Sequence, residues 1–272
     1  MRTLALWLCL MLLTGCTCID RSHPYNAMPM PAEELTLNWG WVRTTNLYQY
    51  HKYEPGHLDT LNQLSSGDIG HFQLPVGLSI GLGKDYSAGF RYAYGWGPAF
   101  QGRGFDDLYN SSDNFQGKVF ISKSIELEKG KRYLAVAPAF TRATGVQSVF
   151  KGGRLRYRYI SGELPVTISQ AFLSGTNDSL IISATGRVAV DRTTGMINAG
   201  GTEPYTYQDY PLKPAINIRR YAALGMVELV LDNAFSIVAQ AGSEYVNTGF
   251  SSGWEPVFYA GFKGKIIDFT TP

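Results

Sequence analysis

Two polar stretches hold the residue types from which hydrolytic centres are built. The first carries His51, His57 and His71 with Asp59, Asp68, Ser65 and Ser66; the second carries Asp106, Asp107 and Asp113 with Ser111 and Ser112. An imidazole held against a carboxylate can activate a water or a serine hydroxyl, so hydrolysis is the chemistry these residues would do. Their spacing follows no known nucleophile–base pattern, and such residues are ordinary in turns and solvated loops. Zinc, calcium and nucleotide-phosphate motifs are lacking as well. No catalytic residue, metal ligand or cofactor is therefore assigned. A third group is Arg154, Arg156 and Arg158, at alternate positions. On a strand they share one face, where guanidinium groups can grip phosphate oxygens in pairs. Turned inward instead, they would meet carboxylates such as Glu163 or Asp191. The cysteines Cys9, Cys16 and Cys18 form neither a CxxC pair nor a disulfide framework.

The elements that must position these groups are strands. Leu35, Leu37, Trp39 and Trp41 alternate with Thr36, Asn38 and Gly40, and the even positions from Phe72 to Leu82 alternate with Gln73 to Gly83 without a miss. After Gly83-Lys84-Asp85 the alternation resumes from Tyr86 to Trp96, so a hairpin is predicted there. Further strands are predicted near 118–127, 133–142, 154–173, 179–191, 215–231, 235–246 and 257–269, with Pro165 marking a bulge or an end of regular pairing. No 3.6-residue period follows the opening segment. The fold class expected is all-β: a closed antiparallel up-and-down barrel of about ten strands, one domain over 34–272.

Connection lengths alternate too. Short turns follow the second, fourth, sixth and eighth strands, while long polar connections fall near 44–70, 98–117, 143–153, 192–212 and 247–256. Short turns at one end and long loops at the other is the layout of a membrane barrel, with both chain ends at the turn end. In the second and third strands the non-apolar set is almost wholly Gly, Ser and Ala, which suits a cramped lumen and would make a poor solvated surface. Leu78, Ile80, Phe90 and Tyr92 are then expected to face lipid, and Trp39, Trp41, Tyr94 and Trp96 to form an interfacial girdle. Most of Arg91, Glu126, Arg187, Glu228, Glu244 and Lys263 are expected to pair inside the barrel and fill it, because charge on a lipid face is costly. A net charge of +2, with basic and acidic residues interspersed, excludes a nucleic-acid partner.

The opening residues complete the picture. Arg2, the apolar run Leu4–Leu13 and Leu13-Thr14-Gly15-Cys16 stand in order, and the run is too short to span a membrane. This resembles a bacterial lipoprotein signal peptide, which implies removal of 1–15 and lipidation (palmitate) of Cys16. Thr17 stands where aspartate would favour inner-membrane retention, so delivery to the outer membrane is implied. Residues 16–33, with Ser22-His23-Pro24 and Met28-Pro29-Met30-Pro31, read as an extended lipidated tether on the turn side. Phe262-Lys263-Gly264-Lys265-Ile266-Ile267-Asp268-Phe269 resembles the terminal signal of outer-membrane barrels. The chain thus resembles outer-membrane β-barrel proteins over about 35–269 and lipoproteins over 1–16. That resemblance implies a lipid-anchored outer-membrane protein with a structural or surface-interaction role and no catalysis. Its implied partners are membrane lipid and, for Arg154, Arg156 and Arg158, lipopolysaccharide. The rival readings are a hydrolase at the barrel rim, similar to omptin proteases in strand number and residue type; a narrow pore; and a lipid-tethered soluble periplasmic barrel.

Overall fold

The computed structural model describes residues 20–44, 49–54, 57–62, 71–99, 109–149, 153–173, 178–200, 207–211, 216–231, 234–247 and 252–268. They form fourteen strands and, among the described residues, no helix. In chain order these are β1 (Glu34–Thr44), β2 (Gln49–Glu54), β3 (His57–Asn62), β4 (His71–Gly83), β5 (Tyr86–Ala99), β6 (Tyr109–Glu128) and β7 (Arg132–Val136). There follow β8 (Ala139–Val149), β9 (Gly153–Leu173), β10 (Ser179–Gly200), β11 (Tyr207–Pro211), β12 (Ile216–Leu231), β13 (Phe235–Asn247) and β14 (Ser252–Asp268). Each barrel strand pairs antiparallel with its neighbours, and β1 pairs with both β4 and β14, which closes the barrel at ten staves. β7 and β8 share one stave between β6 and β9. β11 adds an eleventh strand on the loop-side extension of β10, and β2 and β3 form a separate hairpin.

The ten predicted strands are present, but several run further into the long connections than their sequence pattern reaches. β6 begins at Tyr109, β10 continues to Gly200 and β14 begins at Ser252. Backbone pairing continues there after the apolar alternation has ended. The irregularity assigned to Pro165 falls on the neighbouring stave instead. Pro165 keeps its place opposite Arg187 within β9, while the stave beside it breaks at Ala137-Pro138. The Pro165 carbonyl accepts from the Ala137 amide at 3.0 Å. Proline has no N–H for the ladder, and the adjacent stave interrupts its pairing at that height.

Side chains segregate as the alternation predicts. Leu78, Ile80, Phe90 and Tyr92 are 43, 37, 47 and 38 % exposed and point outward, whereas Ser79 and Arg91 keep 6 and 1 % and point inward. A one-residue slip would exchange every face, so the hairpin register between β4 and β5 (Leu78 opposite Phe90, Gly77 opposite Arg91) fixes which set meets the exterior. The two-residue turn Lys84-Asp85 has positive φ at both positions, the geometry whose twist matches the flanking strands.

The interior holds more than side chains. Residues 20–30 lie inside the barrel, where an extended tether at the turn side was expected, and Pro31, Ala32 and Glu33 are exposed at the turn-side mouth. The segment leaves β1 at the turn-side mouth, where the Glu33 amide donates to the Gly81 carbonyl at 2.9 Å, and rises along the lumen towards the loop side. Ala27 bonds Ser169 near the turn end of β9, His23 bonds Gln240 midway along β13, and Arg21 meets Glu244 and Glu255 near the loop-side ends of β13 and β14. Asp20 through Pro24 are fully buried. The sequence shows no apolar periodicity there because this segment is recognised by polar groups of the lumen wall.

Candidate functional site

The lumen wall is an ionic lattice built from inward positions of six staves. Arg220 on β12 uses its whole guanidinium. It donates to both Asp191 oxygens, to Glu244 Oε1 at 2.9 Å, to the Tyr159 hydroxyl at 2.9 Å and to Ser161 Oγ at 3.2 Å. Arg187 on β10 donates to Glu244 Oε1 at 2.6 Å, and Lys118 on β6 to Glu163 Oε2 at 2.9 Å. Towards the turn end the lattice gives way to hydroxyl pairs, Thr167 with Thr185 at 2.9 Å and Ser169 with Ser183 at 2.8 Å, and to Lys263 on Glu228 at 2.6 Å. Buried charges cost several kcal/mol each unless paired, so the alternating signs are what makes this interior tenable. Of the six strand charges assigned mostly to the lumen, Glu126 is the exception. It is exposed at the β6–β7 turn, where it accepts from the Gly130 amide at 2.6 Å.

Residues 20–30 dock onto this lattice as a plug. Asp20 stands 2.6 Å from Arg91 Nε and exchanges backbone hydrogen bonds with the Gln116 side chain, 2.6 Å from its amide and 3.1 Å to its carbonyl. Arg21 pairs with Glu244 and Glu255, and its carbonyl accepts from Arg187. His23 is gripped through its backbone by Gln240, at 2.9 Å from the amide and 2.7 Å to the carbonyl. Burial, then the nearby Lys118 and Arg187 cations, holds the His23 imidazole well below its ordinary pKa, so it stays neutral. Below it Tyr25 packs on Phe120 at 4.5 Å between ring centres and accepts from Asn38 at 3.2 Å. Glycines make the room. A Cβ on Gly81 would lie 1.8 Å from the Pro31 carbonyl oxygen, and one on Gly89 would lie 2.3 Å from the Phe120 ring. Between plug and wall at the turn side a cavity of about 220 Å³ remains, bordered by Tyr25, Asn26, Met30, Glu228 and Lys263.

The outer surface is apolar in the middle and charged at its two edges, and the edges differ. At the turn end cations and carboxylates mix: Lys123 lies 3.7 Å from Asp85, and Lys131 3.7 Å from Glu128. Toward the loop end Arg142, Arg158, Arg192 and Arg219 are exposed on four consecutive strands, β8, β9, β10 and β12. Among the residues whose side chains are described, the exposed carboxylates, Glu33, Asp85, Glu126, Glu128 and Asp178, all lie at the turn end. Arg158 therefore faces outward, contrary to inward pairing with Glu163 or Asp191. Those two acids are engaged by Lys118, Arg187 and Arg220. The side chains of Arg154 and Arg156 lie outside the described residues, as do those of His51, His57 and His71, of Tyr94 and Trp96, and the whole of Cys16. Ser65, Ser66, Asp68, Asp106 and Asp107 also fall outside them. Trp39 and Trp41 pack with Phe262, and Trp39 with Phe235, on the exterior of the β1–β14–β13 seam. No group of three or more metal-ligating side chains occurs among the described residues.

No family model matches the chain, and no curated protein sequence does. Among solved structures it is similar to the outer membrane protease OmpT from Escherichia coli, at 7 % sequence identity and a TM-score of 0.42, with 86 % of this chain and 95 % of that chain covered.

Proposed function

We propose that this protein is a bacterial outer-membrane barrel with a structural or surface-interaction role: sealed along its axis, without catalysis, and working through its outer face and loop end. The observation that carries the reading is the lumen, which the protein fills with its own residues 20–30, locked at Asp20, Arg21 and His23 into an ionic lattice. An open pore needs a continuous water path, and here the plug's backbone and charges occupy it. The apolar belt supports embedding, because a surface carrying Leu78, Phe90, Phe140, Ile168 and Val190 without polar relief is solvated by lipid and not by water. Cys16 is the lipidated N-terminus of the mature chain on this reading. Replacing it with alanine abolishes fatty-acid labelling, and labelling that persisted would count against the anchor.

The test is electrical. Reconstituted in planar bilayers, the intact protein gives no stable conductance steps, whereas a variant with residues 20–30 replaced by a Gly/Ser linker conducts. Heat-dependent gel mobility, which reports barrel closure, shows whether that variant has folded. Stable conductance by the intact protein would overturn the sealed-barrel reading in favour of a pore.

A further inference from the structure

We propose that Arg142, Arg158, Arg192 and Arg219 form a binding site on the barrel exterior for a multiply phosphorylated lipid of the loop-side leaflet. The register brings them together. Ile160 on β9 lies opposite Arg142 on β8 and opposite Arg192 on β10, so these two arginines flank one position from both sides. Arg158 is the next outward residue loopward of Ile160, opposite Thr144 and Thr194. Arg219 on β12 lies opposite Val190, diagonal to Arg192. With strands about 4.8 Å apart, Arg142 and Arg192 sit about 10 Å from each other, and Arg158 bridges the interval one step higher.

Three properties of this patch select the ligand. It is one-signed: among the residues whose side chains are described, no exposed carboxylate lies at this end, while the turn end mixes both signs. It consists of arginine alone, whose planar fork matches two oxygens of a phosphate. And it borders the apolar belt, with Phe140 toward the turn end of β8, Leu164 of β9, Val188 and Val190 of β10 and Tyr221 of β12, the last two 64 and 49 % exposed. A ligand satisfying both parts carries phosphates on its head group and acyl chains beneath. A zwitterionic phospholipid offers one phosphate and an ammonium that four guanidinium groups repel, so the match is to a lipid with two or more phosphates and no compensating cation.

The inference rests on the membrane-embedded reading above, and the experiment separates the two. The full-length protein is placed in nanodiscs of phosphatidylethanolamine doped with bisphosphorylated lipid A or with the same lipid stripped of its phosphates. Retained lipid is counted by native mass spectrometry. The wild type is expected to retain the phosphorylated form about tenfold over the stripped one. The quadruple variant R142Q/R158Q/R192Q/R219Q is expected to lose that preference, and R142K/R158K/R192K/R219K to keep part of it, since lysine supplies charge without the fork. The single variant R158Q, which changes one exposed side chain, gives an intermediate preference and covers the case in which the quadruple variant fails to fold. Equal retention of both lipids by the wild type, or an undiminished preference in a folded glutamine variant, overturns the proposal and leaves embedding intact. A protein that stays soluble without detergent or lipid would defeat the embedded reading itself.

Discussion

At the scale of single residues, the plug's fit depends on groups too small or too neutral to draw notice. Gly81 borders the Pro31 carbonyl so closely that any side chain must displace backbone. Gly81→Val is expected to leave the barrel closed but to unseat the plug's entry, at a cost of about 1–3 kcal/mol. Thiol labelling of a Ser22→Cys reporter in a Cys18→Ser background then rises well above that of the Gly81 parent. His23 sets a pH dependence whose sign is fixed. Its docked pKa is depressed by burial and by Lys118, Arg187 and Arg91, with Glu163 opposing them. Undocked, it takes a proton near its ordinary value of about 6.5, so docking is unpenalised above that pH. Below it, docking weakens by up to about 1.4 kcal/mol per pH unit. Reporter labelling should therefore climb between pH 7 and pH 5 in the parent and climb less in His23→Gln. The inward charges Arg91, Arg187 and Glu244 were legible, because charge in an alternating strand has only the lumen as refuge. The plug was not: Asp20, Arg21 and His23 look like tether residues until the carboxylates, amides and arginines that hold them are in place. Gly77, Gly81 and Gly89 read as a cramped lumen, without any sign that at Gly81 the cramping agent is Met30-Pro31 of the chain's own N-terminal segment.

Among the elements, period-two alternation located every stave, since a barrel with an apolar exterior and a polar lumen presents opposite chemistry on its two faces. What it missed lies where that demand lapses. The β2–β3 hairpin and the outer reaches of β6 and β10 are held by backbone pairing, which leaves no apolar signature. The break between β7 and β8 is an element-scale weakness with a measurable consequence. Pro138 and Pro165 remove two donors from neighbouring staves, and the ladder there relies on Ala137 bonding Pro165 and Ile121 bonding Pro138. Amide hydrogen exchange should be faster at Ala137 and Ile121 than at Ile182 or Val227 on the uninterrupted β10–β12 pair. Replacing Pro138 with alanine should narrow that difference; equal exchange in the parent would show that the seam is as tight as its neighbours.

For the whole molecule, on the membrane-embedded reading, the direction in which the plug runs decides which side of the membrane the residues before Asp20 approach. Arg21 pairs with Glu244, three residues from Asn247, where β13 ends at the loop side, and nine from Phe235 at the turn side. The four residues from Asp20 back to Cys16 reach about 14 Å at most, too little to return through a lumen already occupied. An epitope inserted after Cys18 is accordingly expected to bind antibody on intact cells, and binding only after permeabilisation would contradict the threaded path.

The plug also sets a clock. Its partners Arg91, Gln116, Ser169, Arg187, Gln240, Glu244 and Glu255 are scattered over almost the whole sequence, and Glu255 lies on the last stave to be synthesised. Contacts so distant along the chain form late, because the loop closures that precede them must be made first. During refolding, a barrel that already migrates as closed should still react at Ser22→Cys for a measurable interval. On the sealed-barrel reading, the same molecule is in that interval a water-filled tube, and it becomes impermeable only when Arg21 has found Glu255 on the final stave.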